Sequence, residues 1–400
     1  MITTVNGGIT APAGFRAAGV RCGVKKSGLD LALLVSETPA SAAAVFTTNR
    51  AVAAPVLVSR EHLARSGGIA RAIVVNSGCA NACTGEAGMA VAREMATVTA
   101  HTVDCGVEQV LVASTGVIGL ALDLAKIANG IGAASHVLDR ESHRAAAEAI
   151  MTTDREPKEA AVRLSTATGS FLIGGMVKGA GMIEPRMATM LGFLTTDAAV
   201  DAERLHQALV AANEDTFNAI TVDGESSTND TVFMLANGSS GVTIDDALYP
   251  TFVSALRDVA RTLAKEVVRG GEGATKLITV RVIGAQSYDE AKRTARAIGN
   301  SPLVKTAIHG GDPNWGRLVA VAGRAGGSFE LARARVQIGP AVLFADETIH
   351  AEREPAAAKH LRGREVEIVL DLGTGGEHQA TMWTCDFSAE YIHINADYRT

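Results

Sequence analysis

The chain has 400 residues, of which 47% are hydrophobic and 20% charged, enough apolar material for one large core or two ordinary ones. Its 43 acidic residues against 37 basic ones give a net charge of −6. That balance excludes the basic footprint of a nucleic-acid-binding protein, and the apolar fraction excludes a disordered chain. No stretch approaches the roughly 20 apolar residues of a spanning helix, and the opening residues from Met1 to Gly8 lack the basic start and apolar block of a secretion signal. A soluble, cytoplasmic protein with no membrane or nucleic-acid partner is expected. The cysteines Cys22, Cys79, Cys83, Cys105 and Cys385 are too few and too scattered for a disulfide framework, so reduced, mostly buried thiols are expected.

Ala-rich amphipathic stretches alternate with short β-branched runs, the pattern of the mixed α/β class. In chain order the sequence predicts a strand over 72–75, a helix over 86–103, and a strand over 109–113 that turns at 114–119 into a helix over 120–128. Helices follow over 140–151 and 201–213, then strands over 217–222 and 231–235. A helix over 249–268 comes next, with Phe252, Leu256, Val259 and Leu263 at helical spacing. A strand over 277–283 precedes a helix over 289–298, which has Ser287 as a ready N-cap. Strands over 334–338, 365–370 and 391–394 close the chain, and strict alternation in the first two of these predicts one wetter face. The order does not repeat as a βαβ series, so a simple doubly wound sheet is not expected. Residues 174–193 are rich in Gly and Met and read as neither helix nor strand.

Nucleotide loops fail on inspection. Gly270 to Lys276 is followed by Leu277 where a Walker loop needs Ser or Thr, and Gly179 and Gly181 meet Glu184 where a third Gly should stand. HExxH is absent, and Cys79 and Cys83 have no second pair to complete a structural zinc site. No metal and no cofactor are expected.

Thr189 offers sharper chemistry. A Thr hydroxyl is a weak nucleophile, but it gains a built-in base when the same residue carries a free α-amine, which titrates at about 7.7–8.0. An internal Thr must therefore lose its preceding peptide bond. The small Ala188 would let the Thr189 hydroxyl reach back to the Ala188 carbonyl, and Gly179 and Gly181 supply backbone freedom nearby. By spacing alone, a Thr after Met-Ala is more often an ordinary core or turn residue. The stretch from Ser114 to Gly119 supplies backbone N–H groups suited to an oxyanion, or simply an N-cap.

The segment from Lys178 to Met190, KGAGMIEPRMATM, closely resembles the self-cleavage segment of the glutamate N-acetyltransferase (ornithine acetyltransferase) family of arginine biosynthesis. Residues 76–85, 114–119, 221–230 and 312–317 and the ending over 389–400 match the same family, in its order and over essentially the whole chain. The resemblance implies a cut between Ala188 and Thr189, giving an α chain of residues 1–188 and a β chain of residues 189–400. Both fragments would build one α/β sandwich, related to a self-cleaving aminopeptidase fold, and assemble as α2β2. It implies acetyl transfer from N2-acetyl-L-ornithine to L-glutamate through an acetyl-Thr189 intermediate without a cofactor, and leaves acetyl-CoA open as a further donor. Thr115 and Gly116 fall at the family's oxyanion-hole pair. Thr152, Lys178, Thr189, Glu272, Asn395 and Thr400 fall at its substrate-contact positions.

Three positions depart from the expected pattern: Glu184 and Arg186 stand where His and Asn are common, and Cys79 stands in place of an Asn. Competing readings are an N-terminal-Thr amidase or aminopeptidase, which would pass the acyl group to water, and a non-catalytic amino-acid-binding protein with an intact chain.

Overall fold

The computed structural model describes residues 2–167, 169–184 and 190–397. Two sheets organise them. The first contains β1 (Ile2–Thr4), β2 (Phe15–Val20), β3 (Leu31–Phe46), β4 (Ile69–Cys79), β5 (Val110–Val117), β6 (Lys158–Thr166), β7 (Gly169–Lys178), β8 (Leu191–Thr196) and β9 (Thr231–Ala236). They run in the order β1-β6-β7-β8-β9-β3-β4-β5, with β2 also paired to β3. Helices α1 (Ala54–Arg65), α2 (Gly85–Val103), α3 (Leu124–His136), α4 (His143–Ala149), α5 (Ala202–Glu214) and α6 (Tyr249–Arg269) pack on it.

The 16-residue β3 shapes this sheet. One edge pairs with β2 along residues 31–36 and with β9 along 41–46, while the other pairs with β4. The β4 register breaks between Val35 and Ala40, around Pro39, which has no N–H to give a ladder. The sheet bends there, and its halves face each other across one core. Ile73 and Val75 of β4 and Leu111 and Ala113 of β5 share an apolar cluster with Phe193 of β8 and Phe233 of β9. Helices α1 to α3 cover the outer face of one half, and α5 and α6 that of the other. The result is an α-β-β-α sandwich.

The second sheet takes β10 (Leu277–Ala285), β11 (Arg335–Ile338), β12 (Ala341–Ala345), β13 (Thr348–Ile349), β14 (Glu365–Asp371) and β15 (His378–Cys385), ordered β13-β12-β11-β14-β10-β15. Helices α7 (Tyr288–Gly299), α8 (Pro302–Gly310), α9 (Trp315–Arg324) and α10 (Glu354–Leu361) cover its apolar face. In β14, Val366, Ile368 and Leu370 are buried while Glu365 and Glu367 are exposed, the wet face that the alternation predicts. The chain ends in α11 (Ala389–Asp397).

Several expectations are corrected. Residues 217–222 form a single 3-10 turn, Phe217–Ala219, followed by one bridge from Ile220 to Trp383. This buried connection spends its N–H groups on Trp383 and Ile183 rather than on a ladder. Residues 391–394 are helical within α11. Helix α3 starts at Leu124, four residues later than expected, because Asp123 is its N-cap, accepting from Ala125 N–H at 3.1 Å. Residues 174–178 and 191–193 are strand, paired in β7 and β8. The glycines there serve close packing. A Cβ on Gly174 would lie 2.0 Å from the Gly8 carbonyl oxygen, and one on Gly175 would lie 2.6 Å from Leu194 Cδ2 and 3.0 Å from Leu263 Cδ1.

Leu263 is thus the point where α6 seats on β7, and it is fully buried. Leu263→Ala is expected to cost about 2–5 kcal/mol, read as a lower urea midpoint with an unchanged slope.

Candidate active site

A cleft of about 890 Å³, counting its open mouth, lies where strand ends from both halves of the first sheet meet α11. Thr115, Gly116, Thr152, Lys178, Glu272 and Asn395 all line it. The remaining sequence-predicted residues, Thr189 and Thr400, lie outside the described residues, as do Ala188 and Arg186. Met190 and Leu191, which follow Thr189 directly, line the cleft.

Thr115 and Gly116 sit near the end of β5, which runs on through Val117, and not at a helix N-terminus as the sequence suggests. The β4–β5 ladder is irregular here, with Cys79 opposite both Thr115 and Val117. Gly116 has φ +129°, and a Cβ on it would lie 2.3 Å from the Gly78 carbonyl carbon, so only glycine fits. A buried amide network fixes the irregular edge. Asn229 Nδ2 donates to the carbonyls of Ser114 (2.9 Å) and Ala80 (2.6 Å), Ser114 Oγ donates to Asn76 Oδ1 (2.6 Å), and Asn76 Nδ2 donates to Cys79 O (2.9 Å). Cys79 itself is buried, its thiol pushed up by burial and directed at Leu120 O. It is a packing group rather than a nucleophile.

Lys178 ends β7 and donates from Nζ to Thr115 Oγ1 at 3.0 Å. Burial pushes its ammonium below the usual lysine range, against the opposing pull of Asp154. Asp154 is the hub beneath it. Its carboxylate accepts from Lys158 Nζ (2.5 Å), from Gly179 N–H (2.8 Å) and from Thr152 N–H (3.2 Å), so it positions two stretches of cleft wall at once. Burial alone would raise Asp154, but Lys158, Lys178 and the Gly179 N–H outweigh it and hold the carboxyl below its ordinary value.

On the opposite wall Glu272 is 5% exposed and accepts from Asn395 Nδ2 at 2.8 Å. Asp223 Oδ2 accepts from Met182 N–H (2.6 Å) and its Oδ1 from Ile183 N–H (2.8 Å), while the Tyr391 hydroxyl donates to Oδ2 at 3.3 Å. Burial, then the Asp223 charge, pushes that phenol above its usual range.

The sequence reading missed Asp154, Lys158, Asp223, Asn229 and Tyr391. Asp223 and Asn229 fall inside the matched stretch over 221–230 and were open to being singled out. Asp154 and Lys158 are four residues apart but fall in no matched stretch, and only their burial shows that they matter.

The cleft gathers, in one place, a hydroxyl beside an ammonium, an irregular strand end and a buried carboxylate. Together with the bent α-β-β-α sandwich, this defines an α/β protein whose cleft suits a small charged molecule.

A profile of the ArgJ family matches residues 16–400. The arginine biosynthesis bifunctional protein ArgJ of Symbiobacterium thermophilum is 49% identical, over 98% of this chain and 99% of the relative. The protein of the same name from Dehalococcoides mccartyi is 48% identical, over 99% and 98%. A crystal structure of ornithine acetyltransferase from Mycobacterium tuberculosis, complexed with ornithine, is 43% identical, covering 47% of this chain and 100% of its own, with a TM-score of 0.44. The chain belongs to the ArgJ family.

Asp154 supplies the pH test. Its folded pKa lies below the unfolded one, so its stabilisation is complete above about pH 4 and lost as pH falls through the folded value. Asp154→Asn strands the Lys158 ammonium and is expected to cost about 3–5 kcal/mol at neutral pH. Urea titrations should show the gap to wild type shrinking as the pH drops below about 4.

Proposed function

We propose that the protein is a self-cleaving acetyltransferase of arginine biosynthesis that moves the acetyl group of N2-acetyl-L-ornithine to L-glutamate. The observation that carries this reading is the convergence of Thr115, Gly116, Thr152, Lys178, Glu272 and Asn395 on one cleft beside Met190.

Maturation comes first. The Thr189 hydroxyl adds to the Ala188 carbonyl, the C–N bond breaks as the C–O bond forms, and water opens the ester to free the Thr189 amine and the Ala188 carboxylate. Each turnover then begins with that amine taking the hydroxyl proton as Oγ attacks the acetyl carbonyl. The tetrahedral oxyanion lies against the Thr115 hydroxyl and the Gly116 N–H. Because Lys178 Nζ donates to Thr115 Oγ1, the Thr115 O–H is left to donate toward the oxyanion. Collapse returns the proton from the Thr189 ammonium to the departing ornithine nitrogen, leaving acetyl-Thr189. The glutamate amine attacks this ester by the reverse sequence and leaves as N-acetylglutamate.

Lys178 suits the substrate α-carboxylate, with Thr152 beside it, and Glu272, oriented by Asn395, suits a substrate ammonium. Thr400 is assigned to substrate contact by the family resemblance. The cut would leave β8 and β9 on the β chain, inserted between β7 and β3 of the α chain and hydrogen-bonded to both. Those ladders hold the fragments together after cleavage, and an α2β2 assembly in the cytoplasm completes the reading.

Intact mass under denaturing conditions is the primary test. Wild type should give fragments 1–188 and 189–400 that co-elute under native conditions, and Thr189→Ala should give one full-length chain. The cut enzyme should form N-acetylglutamate from acetylornithine and glutamate, with acetyl-CoA assayed alongside as a second donor. An uncut wild type that still transfers acetyl would refute the N-terminal-amine mechanism, and rapid acetylornithine hydrolysis without glutamate would make it an amidase. Thr115→Val, which removes one donor at constant shape, should lower kcat by on the order of 10²-fold with a smaller change in KM.

A further inference from the structure

The second sheet and its helices do more than cap the cleft. The chain enters the stretch that contains the Ala188–Thr189 bond at Glu184 and leaves it at Met190. Met190 is tied to the first sheet, its carbonyl accepting from Thr231 N–H at 3.0 Å. Glu184 is tied to the second module. Its carboxylate accepts from Arg296 Nη1 at 3.1 Å and from Asn300 Nδ2, both from α7 and the residue that ends it. The ion pair is well shielded, with side-chain exposures of 15% for Arg296 and 8% for Glu184.

The grip extends to neighbouring backbone. Asn300 Oδ1 accepts from Thr221 Oγ1 at 2.6 Å, and that hydroxyl also lies 3.0 Å from Ile183 O. Arg296 Nη2 donates to Asn218 O at 3.1 Å. Lys305 of α8, itself 3% exposed, donates to Val222 O, whose own N–H donates to Ile183 O at 2.7 Å.

We infer that the Glu184–Arg296–Asn300 latch makes self-cleavage conditional on docking of the second module. It rests on the self-cleaving reading proposed above. An N-to-O acyl shift needs the hydroxyl held within near-attack distance of the carbonyl, and a misplacement of about 1 Å can cost on the order of 10²-fold. The two described ends of that stretch are held by different bodies, Met190 by the first sheet and Glu184 by α7, so release of the Glu184 end is expected to make the near-attack geometry rarer. Glu184 is a positioning residue here, because it does not line the cleft.

The test follows the appearance of the two fragments by denaturing intact mass during cell-free synthesis of the full chain. Glu184→Ala and Arg296→Ala should each slow cleavage about 10- to 100-fold, and the double variant should be no slower than either single one. The charge-swapped pair Glu184→Arg with Arg296→Glu should regain part of the rate. Once cut, Glu184→Ala should transfer acetyl with wild-type kcat and KM, a separation that general unfolding would not produce. Should Glu184→Ala lose solubility, Glu184→Gln, which keeps the shape, is expected to slow cleavage less than Arg296→Ala does. Wild-type cleavage rates in Glu184→Ala and Arg296→Ala, or additive slowing in the double variant, would overturn the inference. A wild-type chain that stays whole would instead refute the self-cleaving reading, and the latch's role with it.

Discussion

Strand β3 must satisfy neighbours on two edges over a length that no flat sheet would accommodate in so compact a body. It pairs with β4 on one side and with β2 and then β9 on the other, and Pro39 interrupts it where the β4 register breaks. The bend brings the two halves of the sheet face to face over Ile73, Leu111, Phe193 and Phe233. It also brings the end of β5 next to the end of β7 and the start of β8. The cleft exists because these ends converge, and Asn229 stitches them by donating to Ser114 O and Ala80 O from the approach to β9. A buried amide of this kind is costly when unpaired and rigid when satisfied, and both of its carbonyl partners are in place.

The electrostatics of the cleft follow from burial. Lys158 is held in the interior by Asp154, whose charge also offsets that of Lys178 and whose carboxylate fixes the backbone at Thr152 and Gly179. One wall is thereby electropositive around Lys178. The opposite wall carries Glu272 and Asp223, each with partners that orient it. The cleft thus carries the Lys178 ammonium and the Glu272 and Asp223 carboxylates around one space, where low dielectric strengthens any charged contact.

The second module contributes through side chains that reach back. Arg296, Asn300 and Lys305 hold Glu184, Asn218, Thr221 and Val222, and Tyr391 and Asn395 of α11 bond to Asp223 and Glu272. The cleft is therefore assembled from both modules, although its bed is the first sheet alone.

Much of this was legible in the sequence, where the physics is local. The apolar stripe of α6, the Ser287 cap of α7 and the alternation in β14 depend on near neighbours, so periodicity reads them directly. The family resemblance singled out Thr115, Gly116, Thr152, Lys178, Glu272 and Asn395, and these six residues line one cleft. Tertiary structure decided the rest. β3 reads as an Ala-rich, Pro-interrupted stretch and is a strand only because partners on both edges supply its hydrogen bonds. β7 tolerates Gly174 and Gly175 because α6 and the N-terminal turn approach it too closely for a Cβ. Residues 391–394 carry β-branched alternation yet form a helix, which sets Tyr391 and Asn395 one turn apart to bond Asp223 and Glu272. The pairing of Glu184 with Arg296, 112 residues apart, has no sequence signature, and the spacing of Asp154 and Lys158 does not reveal that both are buried, which is what makes those charges need one another.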